Sequence, residues 1–148
     1  MYNSLLHLHS GTRWILLLLL VMAILNSYAN WRADKNFGAK DKMVALFTFI
    51  FSHLQLTIGL ILYFWDARNK VSFGSGMMSN TVTRFYTIEH FIMMIAAIAA
   101  ITIGYSRAKR ETSDKAKHRK IFVWYAIAFL IIMAAIPWPF RIDGASWF

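Results

Sequence analysis

Cysteine is absent from the 148 residues of this chain. That excludes disulfides, thiolate-held metals, iron–sulfur clusters and the Cys-x-x-Cys-His attachment of a c-type haem. Charge is also scarce: charged residues make up 16% of the sequence, where a soluble domain carries about 25%. Acidic residues number 7 against 16 basic ones, for a net charge of +9. The placement of that charge argues against nucleic acid. The lysines and arginines collect in two connecting segments, with no aromatic-interleaved basic groove and no nucleic-acid motif. The 2 prolines, Pro137 and Pro139, fall close together near the C-terminus, where they stop the last apolar run.

Long apolar runs occupy the rest. Hydrophobic residues are 58% of the chain and the mean hydropathy is +0.47. About 20 apolar residues suffice to cross a bilayer as a helix, and four such stretches can be drawn, at 5–28, 43–65, 83–105 and 121–136. The first has no basic segment before it and no small-residue cleavage site after it, so it reads as a retained helix. Backbone groups in lipid must be satisfied within their own segment, which leaves a helical bundle as the architecture. The expectation is one transmembrane domain over 1–148, an all-α four-helix up-down bundle. Loops one and three hold eleven of the basic residues, including Arg32, Lys35, Lys42, Lys109 and Lys117. The other side holds five: Arg13, Arg68, Lys70, Arg84 and Arg141. The positive-inside bias places loops one and three in the cytoplasm and both termini outside.

Of the 5 histidines, His9, His53 and His90 lie inside these spans and His7 at the mouth of the first; an ionisable group in a span usually faces the bundle interior and serves a site. Several histidines in so small a membrane protein point to metal or haem ligation. His9 and His90 both lie ~8–10 Å inside the outer end of a span at 1.5 Å per residue. Spans one and three sit diagonally in an up-down bundle, so side chains at matched depth meet a plane between them. Two axial imidazoles on one haem iron need that arrangement. His90, Ala97 and Gly104 share one face at seven-residue spacing, and Gly11 and Gly59 are further small positions. Arg13, one turn beyond His9, and Arg84, at the outer end of span three, are candidates to pair with haem propionates. Interfacial snorkelling is the plainer reading of both. His7 is about 200° around the helix from His9, so it is interfacial or bonded to a propionate or carbonyl rather than a second ligand on the same centre. His53 lies ~18 Å from Trp65 along the helix, deeper than the other two. It is an axial ligand, a residue beneath the macrocycle, part of a quinone or proton site, or a structural hydrogen-bonding residue. Glu89 and Gln55 are candidates for proton or quinone chemistry. His118, in the basic loop, reads as solvated.

The segment Leu5 to Trp14 (Leu-Leu-His-Leu-His-Ser-Gly-Thr-Arg-Trp) resembles a family of small bacterial membrane proteins labelled cytochrome B. So do Phe51 to Leu60 (Phe-Ser-His-Leu-Gln-Leu-Thr-Ile-Gly-Leu), the pair Glu89-His90, and the ending Ala135 to Phe140. The resemblance runs over nearly the whole chain. It implies a four-helix, b-type haem protein in the bacterial inner membrane, with His9, His53 and His90 as iron ligand candidates and His7 behind them. Together these readings favour an electron carrier or accessory subunit of a respiratory or quinone-linked complex over a stand-alone enzyme. One haem b is expected, with the lipid bilayer, a quinone, and other redox subunits or a second copy as partners. Two alternatives stand beside it. One is a copper or zinc site built from His7 or His9 with His53, Glu89 and His90; the other is a structural or assembly subunit without cofactor.

Overall fold

The computed structural model describes residues 1–65, 70–142 and 145; Arg68, counted above on the less basic side, lies outside them. Among the described residues there are helices and no strands. The four long helices are α1 (Tyr2–Arg32), α2 (Ala39–Phe64), α3 (Thr81–Arg110) and α4 (Asp114–Ala135). All four are long and apolar enough to cross a membrane. α1 packs on α2 and α4, and α3 packs on α4 and α2. The helices therefore close a ring in chain order, with α1 and α3 on one diagonal and α2 and α4 on the other. The α2–α3 seam is the loosest of the four.

The helices run past the apolar spans at their charged ends: α1 reaches Arg32, α2 begins at Ala39, and α4 begins at Asp114. Hydropathy marks the part of a helix that lipid covers, whereas capping marks where the helix ends. Ser113 Oγ accepts the Ala116 N–H and starts α4 seven residues before its apolar stretch. Asp41, in the first turn of α2, accepts the Gly38 N–H at 2.8 Å. It also accepts the side-chain amides of Asn26 and Asn30 from α1, which ties the first two helices together at their turn.

Extension of α4 corrects the reading of His118 as a solvated loop residue. The buried positions of α4 are His118, Ile121, Tyr125, Ala128, Ile132 and Ala135, a repeat of three and four residues that forms a packing seam. His118 is fully buried at the start of this seam, with its ring 4.9 Å from that of Phe37.

The bundle is apolar outside and partly polar inside. Leu18, Leu25, Ile50, Ile92 and Leu130 are exposed, whereas Ser10, Ser27, Thr48, Ser52 and Gln55 are buried. Lipid tails are as apolar as a leucine core, so helices gain little by hiding leucine and associate through small residues and hydrogen bonds. At the centre, the Tyr125 hydroxyl of α4 crosses the bundle to donate to the Ala45 carbonyl of α2 at 2.8 Å. The α3–α4 seam is closest at Gly104, where a Cβ would come within 2.5 Å of Trp124 Cβ. Trp124 Cβ is fixed to its own helix and cannot swing away. Gly104→Ala is thus expected to destabilise the fold by about 1–3 kcal/mol, as overpacking does, read as a lower unfolding temperature in mild detergent. Gly11→Ala, with nothing near its Cβ, is the control that does not lower it, since alanine is the better helix former.

Candidate functional site

His9 and His90 come from diagonal helices and line the same space. A cavity of about 110 Å³ is walled by residues of all four helices, including His9, Arg13, Gln55, His90 and Met94. A second, of about 50 Å³, shares His9, Gln55, His90, Met94 and Ile98, and continues toward α2 past Gly59 and Tyr63. The depth matching of the two histidines thus corresponds to a common site.

The rings are held differently. His90 Nδ1 lies 2.7 Å from the Ala135 carbonyl oxygen. A carbonyl only accepts, so Nδ1 carries the proton and Nε2 keeps its lone pair. That is the usual second partner of a ligating histidine, setting both tautomer and ring orientation. His9 Nδ1 is buried and makes no hydrogen bond among the described residues. Its ring lies against Gly59, where a Cβ would stand 3.1 Å from His9 Cε1. Behind it, Gln55 fixes the α1 backbone: its Nε2 donates to the His9 carbonyl at 2.7 Å, and its Oε1 accepts from the Thr12 hydroxyl. Both ends of the Gln55 amide are engaged by the helix that carries His9.

Just before His90, residues Phe85–Glu89 form a turn of π-helix. Arg84 and Glu89, five apart, would point about 140° from one another on a regular α-helix. The wider turn brings them together, with Arg84 Nε 2.8 Å from Glu89 Oε1. Arg84 also donates to the Met78 carbonyl. This ion pair lies outside the two cavities, and only Arg13 of the two arginines lines the site. The Arg13 guanidinium also sits 5.4 Å from the centre of the Trp14 ring.

His53 does not join the other two. Its Nδ1 donates to the Phe49 carbonyl at 2.8 Å, one turn back on its own helix. Its Nε2 is 3.4 Å from Thr102 Oγ1 of α3, and its ring packs on Phe49. His7 is exposed. Among the described residues, no three or more His, Asp or Glu side chains are gathered to hold a metal ion. The copper or zinc site expected from His7 or His9 with His53, Glu89 and His90 is therefore not gathered among them.

Sequence reasoning missed Lys70 and Tyr86. Both line the larger cavity, with Lys70 Nζ 4.7 Å from the Tyr86 ring centre. Tyr86 could have been found, because it lies one turn before His90. Lys70 belongs to the loop after α2, and only the folded chain brings it there. Residues after α4 close this end of the bundle: Ile136 and Pro137 line the cavity, and Trp138 packs edge-on to Trp14.

No protein-family model, curated protein or solved structure matches this chain.

Gln55→Leu keeps the size of the side chain and removes the bonds to His9 and Thr12. It is expected to lower stability by about 0.5–1.5 kcal/mol, the range for interhelical hydrogen bonds, seen as a reduced unfolding temperature. An unchanged temperature would show that the clamp contributes nothing.

Proposed function

We propose that this chain is a b-type haem protein of the bacterial inner membrane that works in electron transfer, in which His9 and His90 would hold the iron of one haem. The supporting observation is that the two histidines line one intramembrane cavity from diagonal helices. His90 has its Nδ1–H engaged by the Ala135 carbonyl, so that Nε2 retains its lone pair. The donor set suits such a group: two imidazoles line one cavity, and the sequence holds no thiolate to compete with them. A bound haem supplies a one-electron couple.

The chain's own residues would do the rest. Ala135 holds the His90 ring and raises its basicity as a ligand, while Gln55 and Gly59 set the position of His9. Arg13 and Lys70 bring positive charge to the cavity wall, where carboxylate substituents would be bound. Burial among Leu16, Met94, Ile98 and Ile132 keeps the site apolar, which tunes a redox potential. His53, bonded to Phe49 and Thr102, is an interhelical structural residue in this reading. Loops one and three face the cytoplasm, which puts the site in the outer half of the membrane. One haem there does not conduct across the bilayer, so the protein serves as an accessory subunit beside a quinone-linked redox complex.

The two cavities measure only about 110 and 50 Å³. A porphyrin is several times larger, so side chains between α2 and α3 must part to admit it. That small volume favours, as the second reading, a structural or assembly subunit without cofactor.

Oxidised and dithionite-reduced spectra of the protein in mild detergent separate the two. The first reading expects a sharp reduced α band, a pyridine haemochrome of haem b and one haem per chain. His9→Ala and His90→Ala should each lose the haem, and His53→Ala should retain it. A colourless protein after haem supplementation during expression leaves the second reading. Orientation is tested separately: C-terminal alkaline phosphatase should be active and a C-terminal green fluorescent protein dark. The reverse pattern would invert the topology.

A further inference from the structure

A different cavity, of about 310 Å³, opens at the basic end of the bundle and shares no lining residue with the cavities of His9 and His90. It lies between the start of α2 and the junction of α3 with α4. Three lysines line it, one from each of those helices: Lys42, Lys109 and Lys117. Gly38 and Ala39 also line it, at the N-terminus of the 26-residue α2. The first-turn amides of a helix lack intrahelical partners and carry partial positive charge. Two carboxylates stand close by. Asp41 is turned toward Asn26, Asn30 and the Gly38 N–H, and Asp114 pairs with Lys117 at 2.8 Å. Lys42 and Lys109 form none of the ion pairs found among the described residues. Positive charge therefore exceeds negative on the cavity wall. The remaining wall is apolar and aromatic, from Phe37, Ala45, Tyr105, Ala108 and Ile121. Ala45, Ala108 and Ile121 are buried members of the bundle core, so the cavity runs from a cationic mouth to an apolar floor.

We propose that this cavity binds a phosphate group, held by Lys42, Lys109 and Lys117 over the N-terminus of α2. Oxyanions suit such a place because a lysine supplies a compact charge and the helix amides supply directed donors. The phosphate belongs either to a phospholipid headgroup or to a small soluble phosphate. An apolar floor is useful to a lipid glycerol and its chains, and indifferent to a free ion. The inference is independent of any haem, since no residue is shared between the two sites.

The test uses the full chain in mild detergent. Unfolding temperature is followed against short-chain phosphatidylglycerol in one arm and inorganic phosphate in the other. Three proteins are compared: the natural chain, a Lys42→Gln/Lys109→Gln/Lys117→Gln variant, and a charge-matched Lys35→Gln/Lys40→Gln/Lys115→Gln control. The expected result is saturable stabilisation of the natural chain and the control, with affinity lower in the cavity variant by on the order of 100-fold for three lysine contacts. Stabilisation by the lipid alone identifies a headgroup site; stabilisation by inorganic phosphate identifies a site for the free ion. Equal responses from the cavity variant and the control would overturn the proposal in favour of diffuse surface charge, as would no saturable response in either arm. If the cavity variant does not fold, the single Lys109→Gln variant carries the comparison, with affinity expected to fall several-fold against Lys35→Gln.

Discussion

Inside hydrocarbon a polar side chain has no water to fall back on and must find its partner in the protein. That constraint organises this bundle. Thr48 donates to the Val44 carbonyl one turn back on its own helix, and Gln55 spans from α2 to α1. Tyr125 crosses the whole bundle to Ala45, and His90 reaches from α3 to the last turn of α4. The bonds of Gln55, Tyr125 and His90 each set how two helices lie in depth and rotation. The apolar side chains that make up most of the surface cannot do this, because they meet lipid as readily as one another. Against that background, the buried His9 Nδ1 and both ring nitrogens of His118, which make no hydrogen bond among the described residues, stand out, since a buried polar atom normally has a partner.

The same constraint explains what could be read from the sequence. Four runs of apolar residues require four helices, and short connections require neighbours in chain order, so the ring of α1 to α4 was legible. Counting residues inward from the ends matched His9 with His90 and set His53 apart, because helical rise converts sequence distance directly into depth. The helix ends were less legible. Hydropathy is silent on segments that leave the membrane, and so the helical start of α4 and the burial of His118 were missed. The seam residues Ile121, Tyr125, Ala128 and Ile132, extended back by one step, would have located it.

Two features of the site lay beyond such reasoning. Lys70 reaches the cavity from a loop whose path no periodicity constrains. The π-turn at Phe85–Glu89 has no propensity signature, yet it brings Arg84 and Glu89 together, which a regular helix would hold about 140° apart.

That turn also divides α3 into two segments of different phase. A π-turn accommodates one residue more than the α-helical repeat, so everything before it is rotated relative to everything after it. The segment from His90 onward is locked to α4 by Ala135 and by the close approach at Gly104. The segment before it is joined to the α2–α3 loop through Arg84 and Met78, and through Thr87 with Ser72. The bonds that tether the α2–α3 loop to this helix thus end on one side of a change in helical phase, and His90 with its anchor on Ala135 lies on the other.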